Sequence, residues 1–156
     1  MTSVGRQTGP LPWNDTFSVG HRELDAEHRR MVALINEICL ASDANNLPQR
    51  HKRLLRELEN LTEIHFKHEE AVLEKLYTTM PKDHLMLRTT LAAAKVAHVS
   101  VHRQMLGDLV HIQNMWCVPH SDAIFAGSKI CGELKVWFID HANGYDAQIK
   151  TIFQLV

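Results

Sequence analysis

The chain has 156 residues, of which 45% are hydrophobic and 22% charged, with a formal net charge of -1. This is the size of one domain able to bury a core without covalent staples, and the charge balance leaves no basic excess for nucleic acid. No apolar run approaches the roughly 20 residues of a membrane span, and MTSVGRQTGPLPWNDTF has none of the marks of a secretory leader, so a cytoplasmic location is expected.

An irregular N-terminal arm, residues 1–20, precedes four long periodic segments in residues 21–156. The first runs from about Arg22 to Ser42, with the stripe Leu24, His28, Met31 and Ile35, and stops at SDANNLP, where two asparagines and Pro48 mark a turn and a new helix start. The second, Pro48 to about Tyr77, carries Leu54, Leu58, Leu61, His65, Glu69, Val72 and Leu76 and stops at TTMPKD. The third, from about Lys82 to Met115, carries Leu91, Ala94, His98, His102, Met105 and Leu109 and stops at CVPHSD. The fourth starts near Ser121, a candidate N-cap, and reaches the region of Phe153 with Ile130, Leu134, Trp137, His141 and Tyr145 on its stripe.

Steps of three and four are helical, and strand signals are scarce. Four amphipathic helices joined by short loops predict an all-α, antiparallel up-down-up-down four-helix bundle as a single domain. Cys39, Cys117 and Cys131 are an odd number with apolar neighbours, and the expectation is free thiols packed as small hydrophobes.

Each of the four stripes holds at least one of the eleven histidines. A buried polar group without a partner costs about 1–3 kcal/mol, so imidazoles on four facing stripes should share something. Height along the bundle tests this, because residues on one level of consecutive antiparallel helices lie equally far from the turn between them. The midpoint between His28 and the pair His65 and Glu69 falls near Leu47. That between His65/Glu69 and His98/His102 falls near Asp83, and that between His98/His102 and His141/Asp146 near Asp122. All three are turns, which predicts one layer containing His28, His65, Glu69, His98, His102, His141 and Asp146.

His65 with Glu69, and His98 with His102, are four apart and project from one helical face, as neighbouring metal ligands must. His141 and Asp146 are five apart, about 140° around a regular helix, so they are expected to approach from different sides. Five imidazoles and two carboxylates exceed the needs of one ion and suit two. Nitrogen and oxygen donors without thiolate fit non-haem iron, manganese or zinc and do not indicate an iron-sulfur cluster.

LPWNDTFSVG, LDAEHRRMVALIN, HFKHEEAVLE with its H-F-x-x-E-E pattern, and WFIDHANGYD with W-x-x-x-H followed after four residues by aspartate, together resemble the hemerythrins, specifically the single-domain bacterial kind. The resemblance covers nearly the whole chain. It implies two non-haem iron ions, one held by His98, His102 and His141 and the other by His28 and His65, with Glu69 and Asp146 bridging. It further implies that dioxygen binds at an open position on the second iron and is released unchanged, with Phe66, Trp137 and Met31 as candidates for an apolar lining. Carrier or store is the expected role, without enzymatic turnover and with an oxygen-consuming protein as the implied partner. A diiron oxidase, a peroxidase, a nitric-oxide-handling enzyme and an oxygen sensor are the alternatives. Paired E-x-x-H motifs, the mark of four-helix diiron oxidases, are absent: no histidine has glutamate three residues before it.

One spacing departs from the family, which usually places its third-helix histidine pair about fifteen residues after the second-helix glutamate. Here His98 follows Glu69 by 29 residues. His84 stands at the customary place, but its i+4 neighbour is Arg88, which has no lone pair to give a metal. The extra length is expected as two added turns on each of the second and third helices, about 10 Å, with His84 outside the layer. His21, His51, His68, His111 and His120 are expected to be solvated or turn residues, and Trp13 and Phe17 to cover the bundle.

Overall fold

The computed structural model describes residues 9–43, 48–117 and 123–155. A short 3-10 turn at Asp15–Phe17 precedes helix α1 (Arg22–Asp43), followed by α2 (Pro48–Thr79), α3 (Leu85–Cys117) and α4 (Ala123–Asp140); a π-helical turn at His141–Tyr145 then leads into α5 (Asp146–Leu155). α4, the π turn and α5 form the fourth rod of an antiparallel up-down-up-down bundle. α1 packs on α2 and α4, and α3 packs on the same two, which closes the square. Among the described residues there is no strand. The expected turns at 44–47 and 118–122, with the candidate cap Ser121, lie outside the described residues.

The α3 stripe is buried as its spacing predicts, from Leu91 through Ala94, His98, His102 and Met105 to Leu109. On α2 the inward line rotates slightly away from the expected one. Thr62, Phe66 and Leu73 are buried, whereas Leu61, Val72 and Leu76 are only partly covered. The Thr62 hydroxyl donates to the Leu58 carbonyl at 2.8 Å, so its burial leaves no unmet donor. On the fourth rod Ile130, Leu134, Trp137 and His141 face inward, but Tyr145 is 42% exposed and Asp146 takes the inner place.

Two apolar cores result. One contains Met31, Ile35, Leu58, Phe66, Leu109, Leu134 and Phe138; the other contains Leu24, Leu73, Leu91, Ile149 and Ile152. The second core fills the end of the bundle nearest the turn between α2 and α3. There Arg88 closes the C-terminus of α2, donating from Nη1 to the carbonyls of Tyr77 (3.1 Å) and Met80 (2.8 Å). A cation is favourable at that end of a helix dipole.

The arm is tied across the bundle. The Leu11 N–H donates to Asn36 Oδ1 at 2.7 Å, and Asn36 Nδ2 returns a bond to the Leu11 carbonyl at 2.9 Å. Lys135 Nζ reaches the Gly9 carbonyl. Gly20, at φ +80, makes the left-handed bend into α1, and Asp25 fastens that bend by accepting from the Val19 N–H (2.7 Å) and the Ser18 hydroxyl (2.6 Å). Trp13 and Phe17 cover the bundle as expected, with Phe17 edge-on to both Trp13 and Phe138.

Two expectations are corrected. Cys39 on α1 and Cys131 on α4 form a disulfide, with Cα atoms 5.3 Å apart. Their sequence separation of 92 hid a pairing that only the closed square of helices creates. The solvated reading of the remaining histidines also fails in part. His51 is buried and His21 is half-buried and stacked on Phe153, whereas His68, His84 and His111 are exposed, His68 with a contact to Glu27. His120 lies outside the described residues.

Candidate metal centre

The seven residues expected in one layer are all buried, at 0–2% exposure. α1 contributes His28, α2 His65 and Glu69, α3 His98 and His102, and the π turn and the start of α5 contribute His141 and Asp146. Five of them, His28, His65, Glu69, His141 and Asp146, bring one donor atom each within 4.8 Å of all the others. His102 joins through Glu69, whose Oε2 lies 2.9 Å from His102 Nε2 while Oε1 lies 3.0 Å from His65 Nε2, and His98 stands beside His102 with ring centroids 5.5 Å apart. Asp146 Oδ2 stands between His28 Nε2 (3.0 Å) and His141 Nε2 (2.9 Å).

The expected separation of His141 and Asp146 around the helix is not what forms. In the π turn the Asp146 N–H bonds back to the His141 carbonyl, so five residues close one turn and both side chains point the same way. The inserted position is also what turns Tyr145 outward.

Outer partners fix the direction of four of the five rings. His28 Nδ1 lies 2.7 Å from the Phe17 carbonyl, and His98 Nδ1 lies 2.9 Å from the Ala94 carbonyl. His65 Nδ1 lies 2.8 Å from Glu27 Oε2, and His102 Nδ1 lies 2.9 Å from Glu70 Oε1. Carbonyls and carboxylates only accept, so Nδ1 must donate in all four rings, and in the neutral imidazole Nε2 is then a bare lone pair. His28 Nε2 is 3.0 Å, and His141 Nε2 3.3 Å, from His65 Nε2, while His141 Nδ1 is buried without a hydrogen bond. His98 Nε2, His102 Nε2 and all four oxygens of Glu69 and Asp146 are buried without a hydrogen bond of acceptable direction. With every ring neutral, acceptors are gathered on acceptors and repel unless a proton or a metal cation stands between them.

The ionisation of the cluster points the same way. Burial pushes the His65 imidazole down, but the charges and close approach of Glu69, Glu27 and Asp146 outweigh it and hold His65 protonated to about 10. Burial raises the Glu69 carboxyl, while His65, His102 and His141 keep it well below the ordinary range. Asp146 is raised by burial and by Glu69, yet His141 and His28 bring it below its usual value. These charges are the compensation a buried, negatively charged pocket demands in place of a metal.

Among the expected lining residues, Phe66 stacks on His102 with ring centroids 3.9 Å apart and also meets His65 and His141. Met31 and Trp137 are buried in the adjoining core, where the Trp137 indole N–H donates to the Met105 carbonyl at 3.2 Å. Sequence reasoning missed Glu27, Glu70 and the Phe17 carbonyl. Glu27 immediately precedes His28 and Glu70 immediately follows Glu69, so each stands on the flank of a ligand-bearing stripe, facing the adjacent helix; that adjacency was the available signal.

The hemerythrin HHE cation binding domain is the family description that matches this chain, over residues 19–152. The chain belongs to the hemerythrin family. Similar relatives are hemerythrin-like proteins of Naegleria gruberi and Naegleria fowleri, each 24% identical over 143 residues, covering 92% of this chain and 93% of theirs. A myohemerythrin of Riftia pachyptila is 24% identical over 142 residues, covering 90% of this chain and 92% of its own. A hemerythrin-type metal centre is thus indicated jointly by family and by a buried His/Glu/Asp cluster. No helix among the described residues is long and apolar enough to cross a membrane.

Proposed function

We propose that this protein binds dioxygen reversibly at a carboxylate-bridged non-haem diiron centre, as a carrier or store without enzymatic turnover. It acts as one domain, with an arm at residues 1–20 and a bundle at 21–156, in the cytoplasm and in exchange with an oxygen-consuming partner. The observation that carries the reading is the convergence of inward Nε2 lone pairs on two buried carboxylates, a donor set that only cations satisfy.

His98, His102 and His141 would hold one iron, His28 and His65 the other, and Glu69 and Asp146 would span both. When bound there, two irons would supply reversible two-electron chemistry toward dioxygen. The protein's own task is to keep water and outside reductants away, with Phe66, Met31 and Trp137 forming the apolar wall. Histidine-rich ligation brings less negative charge than the carboxylate-rich oxidases use to stabilise high-valent iron, which favours release over oxygen activation.

Metal analysis combined with visible spectra of the reduced protein, in air and after degassing, tests this. Two irons per chain and an air-induced band that disappears on degassing are expected. A protein left oxidised after one exposure would instead be an oxidase, a peroxidase or a nitric-oxide-handling enzyme. Binding without two irons would overturn the diiron assignment.

A further inference from the structure

Three of the four seams of the bundle are bridged by the chain itself, since α1–α2, α2–α3 and α3–α4 are consecutive. The α1–α4 seam has no such connection, and the Cys39–Cys131 disulfide lies on it. Both cysteines are half-buried, with Cys39 packed against the core and neither sealed from solvent. Cys39 is eleven residues beyond His28, and Cys131 is ten residues before His141. At about 1.5 Å per residue, the bond therefore stands roughly 15 Å from the metal layer on both helices, in matched register.

We propose that Cys39–Cys131 is a reversible thiol–disulfide exchange site for a small dithiol reductant, and that its redox state sets how firmly the α1–α4 seam holds the metal layer closed. The thiolate of the reductant attacks one sulfur, and the other cysteine departs as thiolate. The second thiol of the reductant resolves the mixed disulfide. The reductant is oxidised to its own disulfide, and its two protons pass to Cys39 and Cys131.

Reduction leaves the fold its apolar cores but removes the covalent tie across the one unlinked seam. His28 stands on one side of that seam, with His141 and Asp146 on the other. The apparent affinity for metal falls with the fraction of molecules in which these three meet. Closing a loop of this length by a bond restricts the open states most, so their population is what the bond controls.

The metal arm of this inference rests on the reading of the centre given above; the seam arm does not. The test compares apoprotein prepared in air with the same protein treated with dithiothreitol, and with Cys39→Ser/Cys131→Ser. Peptide mass analysis after alkylation should show the Cys39–Cys131 link, which dithiothreitol opens without loss of helical circular dichroism and mild oxidation restores. Hydrogen exchange over residues 22–43 and 123–140 should accelerate on reduction, more than over the α2–α3 hairpin. After loading with ferrous iron, release to a chelator should be on the order of tenfold faster in the reduced protein.

Alkylation of Cys39 or Cys131 in the air-prepared protein, reduction only on unfolding, or identical exchange in both states would each overturn the proposal. Iron that fails to load in either state would instead count against the proposed function, and the exchange measurement would still decide the seam. Should the double variant fail to fold, oxidised and reduced wild type alone carry the comparison.

Discussion

The α3 side of the centre and the side built by α1, α2 and the fourth rod use the same donors but are supported differently. His98 and His102 stand one turn apart on an unbroken helix, and their rings are oriented by the Ala94 carbonyl and by Glu70, whose side chain is 38% exposed. The other side draws on three separate departures from regularity: the Phe17 carbonyl of the arm, Glu27 shared between two imidazoles, and the π turn. Its five donors are already crowded within 4.8 Å, whereas of the α3 pair His102 meets them through Glu69 and His98 stands behind His102. Regular helix suffices to present ligands; bringing three helices to one point needs irregular backbone and outer-sphere bonds.

The largest effect expected is from Glu69→Ala, because Glu69 touches both sides. Metal content should fall to nearly zero, and retention of both ions at wild-type affinity would show the two sides to be independent. His98→Ala should be milder, with the five-donor side keeping one ion; the metal-to-protein ratio after gel filtration measures it. Smaller again are Glu27→Gln and Glu70→Gln, each expected to weaken metal binding by about 10–100-fold, the range for loss of an outer-sphere partner. Glu27→Gln should cost more, because the Glu27 carboxylate meets His68 as well as buried His65. Equal losses would remove the distinction drawn above.

The mildest test is pH. His65 is held protonated to about 10 in the fold, above its ordinary 6.5, so its contribution to apoprotein stability is complete below 6.5 and fades as pH rises toward 10. Glu69 and Asp146 are depressed, so theirs is present above 4.5 and 3.8 respectively and is lost on acidification through their lowered values. Thermal melts of the apoprotein should therefore be most favourable between about 4.5 and 6.5. In the metal-loaded protein the alkaline decline should vanish, since a cation replaces the proton.

The bundle and the buried polar layer are legible because both follow from helical periodicity. Leu91, Ala94, His98, His102, Met105 and Leu109 could be placed by counting, and midpoints fixed the layer before any contact was seen. What escaped depends on neighbours or on backbone departure. Asp146 was expected on a different side from His141 because a regular helix was assumed, and a one-residue irregularity has no hydropathy signature. Glu27 and Glu70 gain meaning only from the ring opposite them. Cys39 and Cys131 could be paired only once α1 and α4 were known to be adjacent.

The hydrogen bond from the Asp146 N–H to the His141 carbonyl would make an imidazole and a carboxylate the two teeth of one chelate for a bound ion. Their mutual placement is settled when the helix forms, so the second tooth binds without a fresh entropic charge. An ion that slipped from Asp146 would still face it at high effective concentration while His141 held on, so recapture would outpace escape.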